Sequence, residues 1–139
     1  MGSDNKAAIE KIRKGLEGGD LASVADAMDA VTADDFVTEW PQSGERIKGK
    51  SAFKKINEKY AGATGTSPKM KVRRIMGEGD LYVVEGTIDY GDGTPVSYVG
   101  IAEFKNGKVT KNTEYFANPF EAPAWRADFV ERMQPAGVR

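Results

Sequence analysis

The chain has 139 residues, a length typical of one domain that buries its own core. Hydrophobic residues make up 40% and charged residues 29%, as in ordinary globular proteins, and the net charge of -1 gives no overall field to attract nucleic acid or an anionic membrane. The sequence has no cysteine and no histidine, which excludes disulfides, thiol nucleophiles, Ser-His catalysis and imidazole metal ligands. We therefore expect acid-base chemistry, if any, to use Asp, Glu, Tyr or Lys. No metal and no organic cofactor is expected, although an oxygen-ligated metal needs neither His nor Cys and stays open. No apolar run is long enough for a membrane span and no signal peptide is recognisable, so a cytoplasmic location is expected.

The first half of the chain predicts three helices and two strands, the second of them short, at Arg46-Ile47-Lys48. Ile9, Ile12 and Leu16 recur at helical spacing, and a second apolar stripe follows after two glycines. A short alternating segment ends at Pro41, because proline cannot donate to a strand ladder. The predicted segments are residues 1–5 as a disordered tail or cloning remnant, 9–16 and 21–31 as helices, 36–40 as a strand and 51–60 as a third helix.

The second half predicts four consecutive strands and a final helix. The strands are predicted at residues 70–76, 81–90, 96–104 and 109–116. Asn106-Gly107 predicts a tight hairpin between the last two, since both central residues of a type I′ turn need positive φ. A C-terminal extension, residues 119–139, contains a predicted helix from Ala124 to Met133 that carries Trp125 and Phe129 and is expected to dock. Helices followed by antiparallel strands predict a single α+β domain spanning residues 1–139.

The alternation of the two central strands predicts which face of the sheet is inside. The predicted inner face carries Tyr82, Val84, Gly86, Ile88 and Tyr90 on one strand and Val96, Tyr98, Gly100, Ala102 and Phe104 on the next. Glycines inside strands indicate sharp curvature or room for a ligand. The opposite face retains Val83, Val99 and Ile101, which predicts a homodimer interface on the outer side of the sheet.

The last strand brings polar side chains to one face. Thr110, Asn112, Glu114 and Phe116 share a face, whereas Val109 lies on the other by simple alternation. Glu114 either lines a cavity or meets water.

One short segment fits a nucleotide-binding pattern. Residues 44–51, GERIKGKS, match G-x-x-x-x-G-K-[ST]. A phosphate-binding loop normally belongs to a parallel βαβ unit, and this chain predicts antiparallel strands. We therefore do not expect this segment to bind a nucleotide.

Two longer motifs carry a family resemblance. ADDFVTEWPQSG at residues 33–44 and FKNGKVTKNTEYFAN at residues 104–118, in this order of elements, resemble the SnoaL-like branch of the NTF2-like superfamily over roughly residues 9–118. The resemblance implies an α+β cone, a curved sheet with helices around an apolar pocket, and homodimers formed through the outer sheet face. It implies no single activity, because relatives include polyketide cyclases, ketosteroid isomerases and limonene epoxide hydrolases.

The catalytic residues of the related enzymes are only partly matched at the corresponding positions of this sequence. The general base of the ketosteroid isomerases falls at Trp40, which cannot take a proton from carbon. The Arg-Asp pair and the last-strand Asp of the limonene epoxide hydrolases fall at Gly86, Ile88 and Glu114. The acid-base residue of the SnoaL-type cyclases falls at or near Glu114, so this position alone keeps an acid.

The resulting hypothesis is a pocket for an apolar or aromatic small molecule, with Glu114 as acid-base residue of an isomerase, cyclase or lyase. Tyr98 or Asn112 is expected to donate to a developing oxyanion. The predicted lining of the pocket is Phe36, Thr38, Trp40, Tyr60, Tyr82, Gly86, Ile88, Tyr90 and Phe116. The alternative is a noncatalytic ligand-binding or dimerisation module in which Glu114 pairs with Arg74 and the aromatic residues are ordinary core.

Overall fold

A computed structural model describes residues 2–17, 21–64 and 68–133. Within these ranges the chain forms three α-helices, six strands and a short 3₁₀ helix. In chain order they are α1 (Gly2–Glu17), α2 (Leu21–Val31), β1 (Thr32–Trp40), β2 (Glu45–Lys48), α3 (Lys50–Thr64), β3 (Lys69–Glu78), β4 (Leu81–Asp89), β5 (Val96–Lys105), β6 (Lys108–Ala117) and the 3₁₀ helix (Ala124–Phe129). The predicted α+β class is confirmed, and each predicted strand lies within a strand or ends one residue beyond it.

The six strands form one curved, open sheet in the order β2-β1-β6-β5-β4-β3. β1 runs parallel to β6, and the other neighbouring pairs are antiparallel. The register shifts in three of these pairs: β3 carries one extra residue opposite β4, β6 carries one opposite β5, and β1 has three more residues than β6 between the paired positions Thr32 and Val37. Such bulges bend a strand and increase its twist, so they curve the sheet around the helices.

The concave face of the sheet holds the core, as the alternation predicts. α1 contributes Ala8, Ile9, Ile12 and Leu16, which are buried together with the inner faces of β4 and β5. Burying aliphatic side chains in this way is the main stabilising contribution, about 25 cal/mol for each Å² of apolar surface removed from water. The helices therefore lie inside the curve and leave the outer sheet face uncovered in the described chain.

The N-terminal residues differ from the prediction of a disordered tail. α1 begins at Gly2, and Asn5 is buried. The Asn5 amide donates to the carbonyl of Gly79 at 2.8 Å, and its side-chain oxygen accepts from the Gly107 amide at 2.8 Å. One side chain thus ties the first helix to two strand turns, a long-range link that no local pattern reveals.

The hairpin at Asn106-Gly107 forms as predicted, but the strand after it is bulged. Both turn residues have positive φ, 50° and 78°. Val109 pairs with Phe104, whereas Lys111 pairs with Glu103, so Thr110 is an extra residue. The prediction that Val109 lies opposite the inner face is therefore wrong: the bulge resets the alternation, and Val109 is fully buried.

The predicted helix at residues 124–133 is wrong in length and in docking. The structure has a six-residue 3₁₀ helix that follows Pro123, and the chain is extended again at Val130. Trp125, Phe129 and Met133 are 78%, 85% and 75% exposed. Short helices gain most of their stability from packing, and no side chain of this segment is buried.

Candidate functional site

Glu114 lies at the centre of β6 and faces the interior of the curved sheet. It pairs with Gly100 on β5, and the residue is only 8% exposed. The parallel neighbour β1 places Trp40 beside it, since Thr38 and Glu39 of β1 pair with Asn112 and Thr113 of β6. Three strands therefore meet around one buried carboxyl group.

Both carboxyl oxygens of Glu114 accept hydrogen bonds from aromatic side chains. The Tyr98 hydroxyl donates to Oε2 at 2.5 Å, and the Trp40 indole N–H donates to Oε1 at 3.0 Å. Phe116 packs between these two residues, with ring centroids 6.2 Å from Trp40 and 5.4 Å from Tyr98. The carboxyl is thereby fixed in orientation by two neutral donors and an aromatic wall.

The environment of Glu114 favours its protonated form. Burial raises the pKa of the carboxyl above its ordinary value of 4.5, and the hydrogen bonds from Tyr98 and Trp40 oppose this rise without cancelling it. Across residues 2–17, 21–64 and 68–133, no ion pair includes Glu114. The alternative pairing with Arg74 is wrong, because Arg74 binds Glu85 at 2.5 Å on the outer face.

Tyr98 and Asn112 complete the polar group at this point. The Tyr98 side chain is buried, and desolvation followed by the nearby Glu114 charge raises its pKa well above 10.0. A polar contact from the Asn112 side chain acts in the opposite direction. The structure therefore brings together the three residues named as catalytic candidates. It also shows that the Tyr98 proton points to Glu114, not to an open position where an oxyanion would bind.

These residues border a cavity of about 780 Å³ between the sheet and the helices. Of the predicted lining residues, the structure places six on its wall: Phe36, Trp40, Tyr60, Ile88, Tyr90 and Phe116. Most ligand sites occupy about 300–1,000 Å³ and are mainly apolar with a few polar groups. This cavity fits both descriptions.

Three residues predicted to contact a ligand do not line the cavity. Thr38 is fully buried behind it. Tyr82 lies deeper in the core, in edge-to-face contact with Phe104 at 5.5 Å between ring centroids. At Gly86 a Cβ would overlap the carbonyl oxygen of Lys71, so this glycine permits close approach of β3 and does not make room for a ligand.

Most of the helical half of the cavity is absent from the lining predicted by sequence. The helical wall includes Ile9, Ile12, Leu16, Met28, Phe53, Ile56 and Asn57, and the loop after β1 adds Gln42 and Ser43. An apolar helix stripe predicts burial against the sheet but does not distinguish core from cavity wall. Ile56 and Tyr60 are each partly exposed, at the rim formed by α3.

The segment that fits the nucleotide-binding pattern is a connection between β2 and α3. β2 pairs antiparallel with β1, and the Gly49 amide donates to the carbonyl of Phe36 at 2.7 Å. Lys50 donates to the carbonyl of Asp29 at 2.7 Å and also lies near the Asp34 carboxylate. Lys50, the lysine that a phosphate-binding loop would use, therefore links the start of α3 to α2 and β1.

The described chain offers neither a membrane span nor a carboxylate metal cluster. No helix in it is long and apolar enough to cross a membrane. No group of three or more acidic side chains in the same ranges is arranged to hold a metal ion.

The curved sheet, the helices within it and the order of elements define the NTF2-like α+β cone. The profile of the SnoaL-like domain matches residues 9–112, and the chain belongs to this family. A protein of unknown function from Burkholderia xenovorans LB400 with the NTF2-like fold is 36% identical, with 94% of this chain and 96% of that chain covered and a TM-score of 0.69.

Two further structures have names that mention a reaction. A candidate ketosteroid isomerase from Kribbella flavida DSM 17836 is 26% identical, with 98% and 93% of the two chains covered and a TM-score of 0.78. An epoxide hydrolase of M. tuberculosis, similar to limonene epoxide hydrolase, is 23% identical, with 82% and 83% covered and a TM-score of 0.60, which shows the fold alone. The search of curated proteins gave no match.

Proposed function

We propose that this protein is an acid-base enzyme of the isomerase, cyclase or lyase type that acts on an apolar or aromatic carbonyl compound. The observation that supports this most directly is the Glu114 carboxyl, buried at the wall of a large cavity and held by two neutral donors. A carboxyl with a raised pKa approaches the range in which proton transfer is efficient near neutral pH.

In the proposed reaction, the Glu114 carboxylate takes a proton from the carbon next to the substrate carbonyl. The electron pair of the broken C–H bond moves into the carbonyl to form an enolate, and Glu114 becomes a neutral acid. It then returns the proton to a different carbon in an isomerisation, or to a leaving oxygen in an elimination. Asn112 also lines the cavity and is the better candidate for the oxyanion donor, because the single hydroxyl proton of Tyr98 is donated to Glu114, whereas the Asn112 amide has a second N–H group besides the one that contacts Tyr98.

The cavity wall supports a substrate that is largely apolar. Phe36, Trp40, Tyr90 and Phe116 present aromatic surfaces, and the acid is the group that would orient a ligand at their centre. The similarity to a candidate ketosteroid isomerase agrees with enolisation chemistry. The acid lies on a different strand from the base of the isomerases, whose position is Trp40 here.

Hydrogen exchange tests the proposal even though the product is unidentified. A panel of cyclic and aromatic ketones is incubated with the protein in D₂O, and deuterium uptake next to the carbonyl is followed by mass spectrometry. We expect Glu114→Gln to lower the protein-dependent exchange rate by about 10²–10⁴-fold, the usual contribution of a general base. The matched control is Glu103→Gln, the same change at an exposed position of β5, which should exchange like the wild type.

Ligand binding is measured in the same variants from the fluorescence of Trp40, in a Trp125→Phe background that removes the other tryptophan. Retained binding with lost exchange supports the assignment of Glu114. Wild-type exchange in Glu114→Gln contradicts it. Binding by the wild-type protein with no exchange across the panel would favour the alternative, a noncatalytic ligand-binding module.

Assembly and location stay predictions. Val83, Val99 and Ile101 are partly exposed on the outer sheet face, where the homodimer interface is predicted. Sedimentation of the wild type against a Val99→Lys variant would test that interface. A cytoplasmic location likewise stays a prediction.

A further inference from the structure

Gly100 is the residue directly opposite Glu114 in the sheet. The two pair across β5 and β6, and Gly100 is buried on the concave face and lines the cavity. A glycine inside a strand loses packing and costs conformational entropy, so its presence at this position needs a physical reason.

The reason is the side chain of Tyr98, two residues earlier on the same face of β5. A Cβ built on Gly100 would overlap the Tyr98 hydroxyl oxygen and would lie 2.9 Å from Cζ and 3.2 Å from Cε2 of the ring. Real Cβ atoms essentially never come as close to other atoms as this one would to the hydroxyl oxygen and to Cζ. The tyrosine therefore lies along its own strand, over the space that a side chain at position 100 would fill.

This position decides which residue the hydroxyl reaches. Tyr98 pairs with Phe116, and its ring packs against that neighbour. Because the ring leans toward position 100, its hydroxyl passes Phe116 and meets Glu114, to which it donates at 2.5 Å.

We propose that Gly100 is a positioning residue of the Glu114 site: the absence of a side chain at Gly100 allows the Tyr98 hydroxyl to reach the Glu114 carboxyl. The catalytic meaning of this arrangement rests on the proposed function, whereas the arrangement itself can be tested without a substrate. Gly100 acts through Tyr98 and makes no contact with a reacting atom.

Gly86 shows that this role is not shared by every glycine on this face. It lies on β4 and pairs with Tyr98 of β5. A Cβ there would meet the backbone of Lys71 and Val72, which cannot move away without displacing β3. A Cβ at Gly100 meets the outer end of a side chain, which can swing away. Alanine at position 86 is therefore expected to distort the sheet. Alanine at position 100 is expected to displace the Tyr98 side chain.

The test follows the titration of Glu114 through the Trp40 indole, which donates to the same carboxyl. In a Trp125→Phe background the remaining tryptophan fluorescence is recorded against pH, and the Glu114 transition is identified by its absence in Glu114→Gln. The hydrogen bond from Tyr98 lowers the pKa of Glu114, so its loss should shift the transition upward. We expect Gly100→Ala and Tyr98→Phe to give upward shifts of the same size, and the double variant to add nothing further.

Gly86→Ala is the matched control. It should lower the melting temperature and leave the Glu114 transition where it is in the parent. If Gly100→Ala fails to fold, Gly100→Ala combined with Tyr98→Leu removes the ring that alanine overlaps. Recovery of the fold in that double variant supports the inference, because it identifies Tyr98 as the group in conflict with position 100.

Three results would overturn the inference: a wild-type transition in Gly100→Ala, additive shifts in the double variant with Tyr98→Phe, or failure of the Tyr98→Leu combination to fold. None of them bears on the deuterium exchange of Glu114→Gln. Conversely, exchange that survives in Glu114→Gln would remove the proposed reaction and leave the link between Gly100 and Tyr98 intact. The two proposals therefore fail separately.

Discussion

Glu39 and Glu114 lie on the neighbouring strands β1 and β6, but their side chains point to opposite faces of the sheet. Glu39, on the outer face, binds Arg46 at 2.7 Å and Lys111 at 3.0 Å. Hydrogen bonds from Lys111 and then Arg46 hold its pKa below 4.5. Glu114, on the inner face, has no cation beside it in the described chain, and burial raises its pKa above 4.5.

The difference shows what the curved sheet does for a carboxyl group. On the outer face water and two cations stabilise the charge, so the acid is held ionised. On the inner face two neutral N–H and O–H donors fix the acid in place but compensate only part of its lost hydration. A carboxyl that remains easily protonated and cannot rotate freely is suited to proton transfer.

The largest expected contrast between the two acids is the sign of their effect on stability against pH. For Glu114 the folded-state pKa is raised, so its contribution is complete below 4.5 and is lost as pH rises through the folded value. For Glu39 the folded-state pKa is lowered, so its contribution is complete above 4.5 and is lost as pH falls through the folded value.

Urea unfolding from roughly pH 3 to pH 8 measures both contributions against matched variants. The free energy of unfolding of the wild type relative to Glu114→Gln should fall as pH rises. The free energy of unfolding of the wild type relative to Glu39→Gln should fall as pH drops. Parallel slopes for the two variants would show that the two faces do not impose opposite environments.

A smaller effect is expected at Thr38, which lies on the inner side of β1 between Val37 and Glu39. Its hydroxyl is fully buried, and no hydrogen-bond partner for it is found in the described chain. Leaving a buried polar group unpaired costs about 1–3 kcal/mol. Thr38→Val keeps the shape and removes the hydroxyl, and should raise the free energy of unfolding by about 1 kcal/mol.

The control for this prediction is Thr113→Val on the outer side of β6, which should change stability by less than about 0.5 kcal/mol. Denaturant titration of both variants measures the difference. A loss of ligand binding in Thr38→Val with no gain in stability would instead support the sequence-based expectation that Thr38 contacts the ligand.

The sequence was informative wherever a pattern is local. Alternation placed Tyr98, Asn112 and Glu114 on the inner face, and Asn106-Gly107 placed the hairpin that precedes β6. The motifs around Trp40 and Glu114 led to the family, which the comparisons confirm. The alternation of side chains along a strand and the residue preferences of a tight turn depend on neighbours along the chain, so a single sequence contains that information.

The errors arose where contacts distant in sequence decide the structure. Val109 faces inward because of a bulge, Asn5 is ordered by two turns about 74 and 102 positions away, and Trp125 stays 78% exposed with only Arg126 recorded near its ring in the described chain. The two interpretations offered for interior glycines, curvature and ligand room, also missed the role of Gly100. Only the path of the Tyr98 side chain shows that the protein itself fills that space.

The smallest expected effect is on the outer face, where Lys111→Ala removes one of the two cations that contact Glu39. Both groups are partly exposed, so water replaces most of the lost interaction. We expect a fall in the melting temperature of Lys111→Ala that is smaller than the rise in the melting temperature of Thr38→Val. The fall should vanish near about 1 M salt, where charges are screened beyond about 3 Å.

Two further variants serve as comparisons. Arg46→Ala, which removes the other cation, should show the same dependence on salt. Trp40→Phe removes a donor to Glu114 and should keep its effect in salt, because a buried neutral donor is not screened. A salt-independent loss in Lys111→Ala would mean that the lysine stem, not its charge, stabilises β1 against β6.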